Sequence, residues 1–262
     1  MICYNNIQKN KMHIERVNAV PVLLEKERYK FEMVQEVEDK IRQEKDLHRS
    51  IPEDSVQDLQ RIDVSGRVYS KIKRILDFLI AAGGIMLLIV PMGVISLIIY
   101  LDDPGKVFFS QYRVGRNGKR FKFYKFRSMK LSAPKYMATE ELDNPQQYFT
   151  RVGKYLRKLS LDELPQLINV LKGDMSLVGP RPLISDEYEM HVMRMRFGVY
   201  TTRPGITGLA QINGRDMIAQ AQKIRLDVKY LQVFGFLTDV KILLLTVPKV
   251  LRREGFKESC GK

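Results

Sequence analysis

Two adjacent carboxylates, Asp162 and Glu163, are the side chains of this sequence best placed to do chemistry. They lie in the segment SLDELPQ, residues 160–166, directly before apolar residues at helical spacing that end at Gly173. Because Pro165 cannot donate a backbone hydrogen bond, the pattern predicts a helix that begins near Asp162. A carboxylate in that first turn stays ionised at neutral pH, as a nucleophile requires. Four nearby cations could hold phosphates beside it: Arg151, Lys154, Arg157 and Lys158.

The same segment also fits a purely structural interpretation. Ser160 followed three residues later by Glu163 matches a capping box, in which the two side chains satisfy free backbone groups at a helix start. Acidic residues stabilise that end of a helix whether or not they react. The pattern alone therefore leaves both interpretations open.

Residues 107–129 predict a β-hairpin, with two aromatic-rich strands around an Asn117-Gly118 turn. The period of two places Phe121, Phe123, Lys125 and Arg127 on one face of the second strand. Two cations so placed are typical of a solvated strand end, but they can equally form a phosphate site.

The charge of the chain lies after residue 70. The formal net charge is +14, whereas residues 1–70 hold 12 basic and 13 acidic side chains, which leaves +15 on the rest. Such a surface suits nucleic acid, an anionic membrane face or phosphorylated substrates. Cys3 and Cys260 stand near the two termini without metal-ligand spacing, which disfavours a disulfide framework or a zinc site and fits a reducing compartment. The N-terminus shows no secretory signal pattern, so we expect the bulk of the protein inside the cell.

Residues 78–101 form a run of 24 residues without a charge, which is long enough for a helix to cross a membrane. Pro91 lies in the middle of the run, where it kinks or breaks a helix. Basic residues flank both ends, and basic flanks mark the cytoplasmic side. We therefore favour a re-entrant membrane helix over a tilted span, and either over a buried core helix.

The two ends of the chain predict further helices. Residues 23–47 repeat apolar positions at three- and four-residue steps, which indicates an amphipathic arm for packing or oligomerisation, and a second short helix is expected to start at residues 50–53. Residues 231–251 fit an interfacial amphipathic helix or a core helix. The predicted organisation is a helical N-terminal extension at 1–70, a membrane-inserted re-entrant helix at 71–103 and a cytosolic catalytic region at 104–262. We thus expect an α-rich α/β membrane-associated domain with a small β-hairpin and interfacial helices.

Four motifs in series make the sequence specific. KFRSM at 125–129, SLDELPQ at 160–166, GPRP at 179–182 and RPGITG at 203–208 resemble, in order and spacing, those of the monotopic polyprenyl-phosphate phosphoglycosyl transferases of the bacterial sugar transferase family. The resemblance covers about residues 68–255. It implies that the capping box is not a complete account of residues 160–163.

The resemblance implies roles for individual residues. Asp162 would attack the β-phosphate of a nucleotide-sugar, and Glu163, with Asp162, would bind Mg²⁺. The remaining candidates are implied to contact substrate phosphates, the last two of them more weakly: Lys125, Arg127, Arg157, Arg181, Arg215 and Asp227. Relatives often carry a Ser where Val90 stands and a Trp where Gln220 stands, which leaves the helix geometry at Pro91 and the sugar or nucleotide contacts undetermined.

The implied reaction moves a hexose 1-phosphate from a nucleoside diphosphate sugar, expected to be a UDP-sugar, to polyprenyl (undecaprenyl) phosphate. It would initiate lipid-linked surface glycan synthesis at the cytoplasmic membrane, with the catalytic region facing the cytoplasm. The implied partners are these two substrates and membrane lipid, with no nucleic acid and with homo-oligomerisation left open. A non-catalytic basic adaptor that binds anionic lipid is the alternative, and the absence of a nucleic-acid-binding motif weighs against nucleic acid.

Overall fold

The computed structural model describes residues 51–133, 145–185, 187–214 and 217–252. Helices dominate this part of the chain, and they surround a two-stranded hairpin and a two-stranded parallel pairing. The arm predicted at residues 23–47 lies outside the described residues. The boundaries given above for the three regions stay predictions.

The longest element is helix α1, Val68–Asp102, which contains the whole uncharged run and continues through Pro91 rather than ending there. At 1.5 Å per residue it is about 50 Å long. Among the described residues it is the helix long and apolar enough to cross a membrane, with a mean hydropathy of 2.5 over its most apolar window. Its length and composition suit insertion into a bilayer.

One stripe of α1 packs against the rest of the protein along its length. The stripe follows steps of three and four residues, as expected for one helix face, and its members are Lys73, Asp77, Ala81, Ile85, Leu88, Met92, Ile95 and Ile99. Apolar side chains elsewhere on the helix are exposed, Met86 and Leu87 by more than three quarters. An exposed apolar surface of this extent marks a membrane or protein contact.

The predicted hairpin is confirmed. Strands β1, Phe108–Val114, and β2, Arg120–Phe126, pair antiparallel around the turn Arg116–Gly118. Asn117 and Gly118 both adopt positive φ, at 57° and 71°, which explains why this dipeptide forms the turn. Phe121 and Phe123 are buried while Arg120 and Lys122, which alternate with them, are exposed, so the predicted alternation holds for the first half of β2; Phe126 and Arg127 are both buried at its end.

The remaining elements follow in chain order. They are α2 Arg151–Lys158, α3 Gln166–Lys172, β3 Ser176–Val178, α4 Tyr188–Arg196, β4 Gly205–Thr207, α5 Leu209–Ile212, α6 Gln220–Gln232 and α7 Phe236–Leu251. Short 3₁₀ turns occupy Glu53–Ser55, Pro145–Tyr148, Leu161–Glu163 and Val199–Thr201. Strands β3 and β4 pair in parallel, with Ser176 opposite Gly205.

Three apolar clusters hold these elements together. The largest joins α4, α6 and α7 to the segment before α1, where Ile51, Val56 and Val64 are almost fully buried. A second packs α1 against the hairpin and α3 around Val170 and Met175. The third packs the end of α1 against Phe126 of β2 and Leu156 of α2. The second and third clusters position the hairpin and the turn before α3 relative to each other.

Glycines allow the motif segments to approach closely. A Cβ atom on Gly153 of α2 would lie 1.9 Å from the Ser128 carbonyl oxygen, and one on Gly205 would lie 2.1 Å from the Gly179 nitrogen. Neither distance is compatible with a side chain. Glycine at these positions therefore allows the KFRSM segment to pack closely against α2, and the RPGITG segment to pack closely against GPRP.

Candidate active site

The two carboxylates lie in a turn of their own. Asp162 and Glu163 belong to the 3₁₀ turn Leu161–Glu163, and the α-helix begins only at Gln166. The prediction that the helix begins near Asp162 is therefore wrong. Ser160 in the left-handed conformation, at φ 54°, redirects the chain before the turn, and Pro165 offers no N–H for a helical hydrogen bond.

The capping-box interpretation is also wrong. The side chain of Ser160 makes no capping hydrogen bond, and it is the Ser160 carbonyl that accepts from the Glu163 N–H at 3.2 Å. Gly173, at φ 87°, ends α3 as predicted. The acidic pair is thus held by a strained turn rather than by the first turn of a regular helix.

Both carboxylates are nearly removed from solvent. Asp162 is 5% exposed and Glu163 is 9% exposed. Burial of a carboxylate is unfavourable unless a cation or a hydrogen-bond donor compensates for lost hydration. Arg181 of the GPRP segment provides one such group, since its Nη1 lies 3.3 Å from Glu163 Oε1. The structure therefore brings together three of the predicted site residues.

Lys125 of β2 faces the same pair, because β2 packs against the Leu161–Glu163 turn. Burial lowers the pKa of the Lys125 ammonium to about 8; the charges of Asp162 and Glu163 oppose the shift, and those of Arg157 and Arg113 reinforce it. Lys125 Nζ also lies 5.0 Å from the centre of the Phe109 ring. Lys125 and Arg157, both predicted, thus belong to one electrostatic group with the carboxylates.

Arg113 is a site residue that the sequence reasoning missed. It lies on β1, opposite Phe121 in the register, with its guanidinium 5.4 Å from the centre of the Phe123 ring. Burial and the nearby charge of Arg181 lower the pKa of Arg113 to about 10. Its place beside an aromatic on the hairpin face was a signal available in the sequence.

The segment that carries Arg181 is held by its backbone. Four successive carbonyls accept hydrogen bonds, and each donor comes from a different position. The contacts run from Arg194 Nη1 to the Arg181 oxygen at 2.6 Å, Arg113 Nη1 to the Pro182 oxygen at 3.1 Å, Val114 N to the Leu183 oxygen at 3.1 Å, and His191 Nε2 to the Ile184 oxygen at 2.7 Å. These bonds fix the segment from which the Arg181 side chain reaches Glu163.

Asp227 has a different environment from the other predicted site residues. It is 2% exposed on α6, and its Oδ2 lies 2.7 Å from Nη2 of the equally buried Arg194. Arg194 in turn donates to the Arg181 carbonyl. The observed contacts connect Asp227 to the acidic pair through Arg194 and Arg181.

Arg127 is engaged at the end of α1. Its guanidinium is 5% exposed, forms an ion pair with Asp103 at 3.1 Å and donates to the Asp103 carbonyl. These contacts attach the helix end to the hairpin. Arg215 lies outside the described residues, so its role stays a prediction.

An apolar cleft of about 260 Å³ opens beside Glu163. Leucine, isoleucine and valine side chains from α3 and the residues just before it, and from β3, β4, α5 and α7, form most of its wall: Leu164, Leu167, Leu177, Ile206, Ile212, Leu243 and Val250. Gln211 also lines the cleft, and both polar atoms of its amide are buried without a protein hydrogen-bond partner. A buried unpaired amide in an apolar wall is uncommon in folded proteins.

The site suits one kind of metal ion better than others. Among the described residues, no three His, Cys, Asp or Glu side chains form a group that could hold a metal by themselves. Mg²⁺ is typically bound through one or two carboxylates together with substrate phosphates and water. The adjacent pair Asp162 and Glu163, buried among cations, fits that requirement.

The fold and the site together define a helix-rich enzyme with one long apolar helix and a buried carboxylate pair among cations. The family model described as bacterial sugar transferase matches residues 68–253. The chain therefore belongs to the bacterial sugar transferase family, and it is an enzyme of the phosphoglycosyl transferase class. This confirms the family resemblance drawn from the four motifs.

Individual relatives agree with this assignment. The chain is 45% identical to the sugar transferase EpsL of Bacillus subtilis over 168 residues, which cover 62% of this chain and 78% of EpsL. It is 37% identical to the exopolysaccharide production protein ExoY of Rhizobium meliloti, over 70% of this chain and 87% of ExoY. It is 39% identical to the UDP-glucose:undecaprenyl-phosphate glucose-1-phosphate transferase of Escherichia coli, over 68% of this chain but only 40% of that longer protein.

Proposed function

We propose that this enzyme transfers a hexose 1-phosphate from a nucleoside diphosphate sugar, expected to be a UDP-sugar, to undecaprenyl phosphate, and so begins the assembly of a surface polysaccharide. The observation that carries the proposal is the buried Asp162–Glu163 pair among Lys125, Arg157 and Arg181. A relative named for this kind of reaction, the UDP-glucose:undecaprenyl-phosphate glucose-1-phosphate transferase of Escherichia coli, shares 39% identity with the chain.

In the first half-reaction Asp162 is the nucleophile. One of its carboxylate oxygens attacks the β-phosphorus of the nucleotide-sugar, and the bond between that phosphorus and the bridging oxygen to the α-phosphorus breaks. The nucleoside monophosphate leaves with the electron pair, and the sugar phosphate stays on Asp162. Covalent catalysis of this kind divides one difficult transfer into two easier ones.

The cations explain how a carboxylate can approach a diphosphate at all. The charges on the two anions repel each other, and the transition state spreads further negative charge over the phosphoryl oxygens. Lys125, Arg157 and Arg181 lie around the acidic pair and would stabilise that charge. Glu163, together with Asp162, would hold Mg²⁺, which when bound neutralises phosphate charge in the same place.

In the second half-reaction the phosphate of the lipid completes the transfer. An oxygen of undecaprenyl phosphate attacks the phosphorus on Asp162, and the bond from that phosphorus to the aspartyl oxygen breaks. The product is an undecaprenyl diphosphate sugar, and Asp162 is restored as a carboxylate. The site must therefore reach both an aqueous nucleotide-sugar and a lipid phosphate at the membrane surface.

The contacts of α1 support a membrane-associated helix whose two ends lie on the same side of the bilayer. Near its start, Arg74 donates to the carbonyls of Val170 and Leu171 at 2.6 and 2.9 Å. Near its end, Asp102 accepts from the Val152 N–H at 2.9 Å. Since α2 and α3 belong to one body, a helix that crossed the bilayer would place these anchors on opposite faces. We therefore propose that both ends lie on one face of the membrane, and the basic residues that flank the helix favour the cytoplasmic face of the inner membrane.

The proposal is tested by incubating the purified protein with Mg²⁺, undecaprenyl phosphate and each of a panel of nucleotide-sugars. Release of nucleoside monophosphate with one donor, together with formation of the lipid diphosphate sugar, is the expected result. The matched controls are Asp162→Asn, which should be inactive, and Asp58→Asn at an exposed carboxylate, which should be fully active. Lipid-dependent activity in Asp162→Asn would contradict the assigned nucleophile.

A further inference from the structure

We propose that the apolar cleft beside Glu163 binds the first isoprene units of the acceptor lipid, next to its phosphate. This inference rests on the proposed function, because it assigns a place to the acceptor of that reaction. The volume of the cleft, about 260 Å³, is close to the lower limit of about 300 Å³ for small-molecule sites. It therefore suits a short segment of a chain whose remainder stays in the membrane.

The lining of the cleft selects an apolar occupant. Leu164, Leu167, Leu177, Ile206 and Leu243 contribute apolar surface. Among the described residues that line the cleft, none is an aromatic on which a nucleobase could stack. Most of the wall surface is hydrocarbon, so the many hydroxyl groups of a sugar would lose hydration there and regain few hydrogen bonds. A polyisoprenyl chain has no such groups, so burial there is favourable over its whole surface.

The polar groups that line the cleft suit the phosphate end of undecaprenyl phosphate. Glu163, at one side, places the cleft beside the carboxylate pair, and Lys249 contributes a positive charge to the lining. The Gln211 amide, buried without a protein partner, offers an N–H donor to a phosphate oxygen. An apolar wall that ends at such groups matches an amphipathic phosphate better than a purely apolar ligand.

The wall of the cleft is continuous with the membrane-facing helix. Leu167 lines the cleft and also packs in the cluster around Ala81 of α1, and its Cδ1 would lie 3.5 Å from a Cβ atom on Gly84. On the opposite wall, α7 contributes Leu243 to the cleft while it exposes Leu244 by 68%. The cleft thus adjoins α1 through Leu167 and the exposed apolar surface of α7 through Leu243 and Leu244.

Helix α7 offers a matched pair of substitutions one turn apart. Val250 lines the cleft and lies outside the buried core clusters, whereas Val247 is 60% exposed. Val250→Phe should raise the KM for undecaprenyl phosphate about tenfold, which is the effect of losing about 1.4 kcal/mol of binding free energy. It should leave the KM for the nucleotide-sugar unchanged, and Val247→Phe should change neither. Leu243→Phe and Leu244→Phe form a second pair with the same expectation.

Three kinetic results would overturn the inference. The first is an unchanged KM for undecaprenyl phosphate in Val250→Phe. The second is an equal rise of that KM in Val247→Phe, which would indicate a general effect on membrane contact. The third is a rise in the KM for the nucleotide-sugar in Val250→Phe in place of the rise for the lipid. The failure of the proposed function is distinct from these, since the wild-type protein would then release no nucleoside monophosphate with any donor.

Photo-crosslinking tests the cleft without relying on activity. A photoreactive undecaprenyl phosphate analogue should label peptides that line the cleft in the wild-type protein and should label them less in Val250→Phe than in Val247→Phe. Unlabelled undecaprenyl phosphate should compete, and phosphatidylglycerol should not. Equal competition by phosphatidylglycerol would assign the cleft to membrane lipid and would contradict the proposal.

Discussion

Arg194 and Asp227 form a buried ion pair, with Arg194 Nη2 2.7 Å from Asp227 Oδ2, and the same guanidinium donates to the carbonyl of Arg181. Removal of one partner leaves a buried charge without compensation. We therefore expect Asp227→Ala to lower the free energy of unfolding by about 3–5 kcal/mol, measured by denaturant unfolding in detergent. In the proposed mechanism Arg181 stabilises charge in the transition state, and in this variant it loses its fixed position. At a temperature where the variant is folded, kcat should therefore fall much more than the KM for the nucleotide-sugar changes.

The exposed pair of Arg225 and Asp58 is the control for that prediction. Its atoms also lie 2.7 Å apart, but the two side chains are 37% and 64% exposed. Asp58→Ala should therefore change the free energy of unfolding by no more than about 1 kcal/mol. If Asp227→Ala retained full stability and instead raised the donor KM, the direct phosphate-binding role implied by the sequence would be correct.

Glu163 is predicted to be a metal ligand. Glu163→Gln keeps the size of the side chain and one acceptor oxygen but removes its charge. We expect the Mg²⁺ concentration for half-maximal activity to rise on the order of tenfold or more, measured by titration of the metal at saturating substrates. Asp58→Asn should leave that titration unchanged, and an unchanged titration in Glu163→Gln would refute the assigned role.

The lowered pKa of Lys125 predicts how kcat/KM depends on pH. Its pKa of about 8 lies below the ordinary value of 10.5 because the side chain is buried. The ammonium is charged below this pKa, and its charge is lost as the pH rises through it. Since kcat/KM reports on ionisations of the free enzyme, kcat/KM for the nucleotide-sugar should fall above about pH 8.

Lys125→Arg separates this group from others that titrate in the same range. A guanidinium stays charged well above pH 8, so the variant should retain activity there relative to its own value at pH 7. The ratio of kcat/KM at pH 9 to that at pH 7 is the measured quantity. A decline of the same shape in Lys125→Arg would show that another group is responsible.

Membrane topology is tested by accessible cysteines. In a background of Cys3→Ser and Cys260→Ser, we expect Gln60→Cys and Lys119→Cys, on the two sides of α1, to resist a membrane-impermeant thiol reagent added to intact cells. Both should react once the cells are opened, because both positions are exposed and are assigned to the cytoplasm. Labelling of Gln60→Cys from outside, with Lys119→Cys protected, would instead establish a helix that crosses the membrane.

The hairpin and the apolar helix could be predicted because local signals dominate them. The Asn117-Gly118 turn and the period of two in β2 depend on neighbouring residues alone, and the structure has both. The turn that holds Asp162 could not be predicted, because the left-handed conformation of Ser160 is decided by packing around it. Local rules favoured a regular helix start at the very place where the site needs a different geometry.

The structure also differs from the sequence-based expectations in which side chains are buried and which groups they contact. Arg127 was predicted to contact substrate phosphate, but it is paired with Asp103 at the end of α1. Arg113 belongs to none of the four motifs, yet it supports the segment of Arg181. Val64, which has mostly polar neighbours in the sequence, is fully buried in the largest of the three apolar clusters. These contacts join positions that are far apart in the chain, so periodicity and composition carry no signal for them.

The most direct test of the account is the mass of the protein after exposure to a nucleotide-sugar and Mg²⁺ without lipid. The account predicts an added hexose phosphate on the peptide that contains Asp162, and its loss when undecaprenyl phosphate is supplied. Asp162→Asn should show no adduct, and Asp58→Asn should form it normally. Full lipid-linked product from a wild-type protein that never carries the adduct, even with rapid acid quenching, would contradict the covalent mechanism.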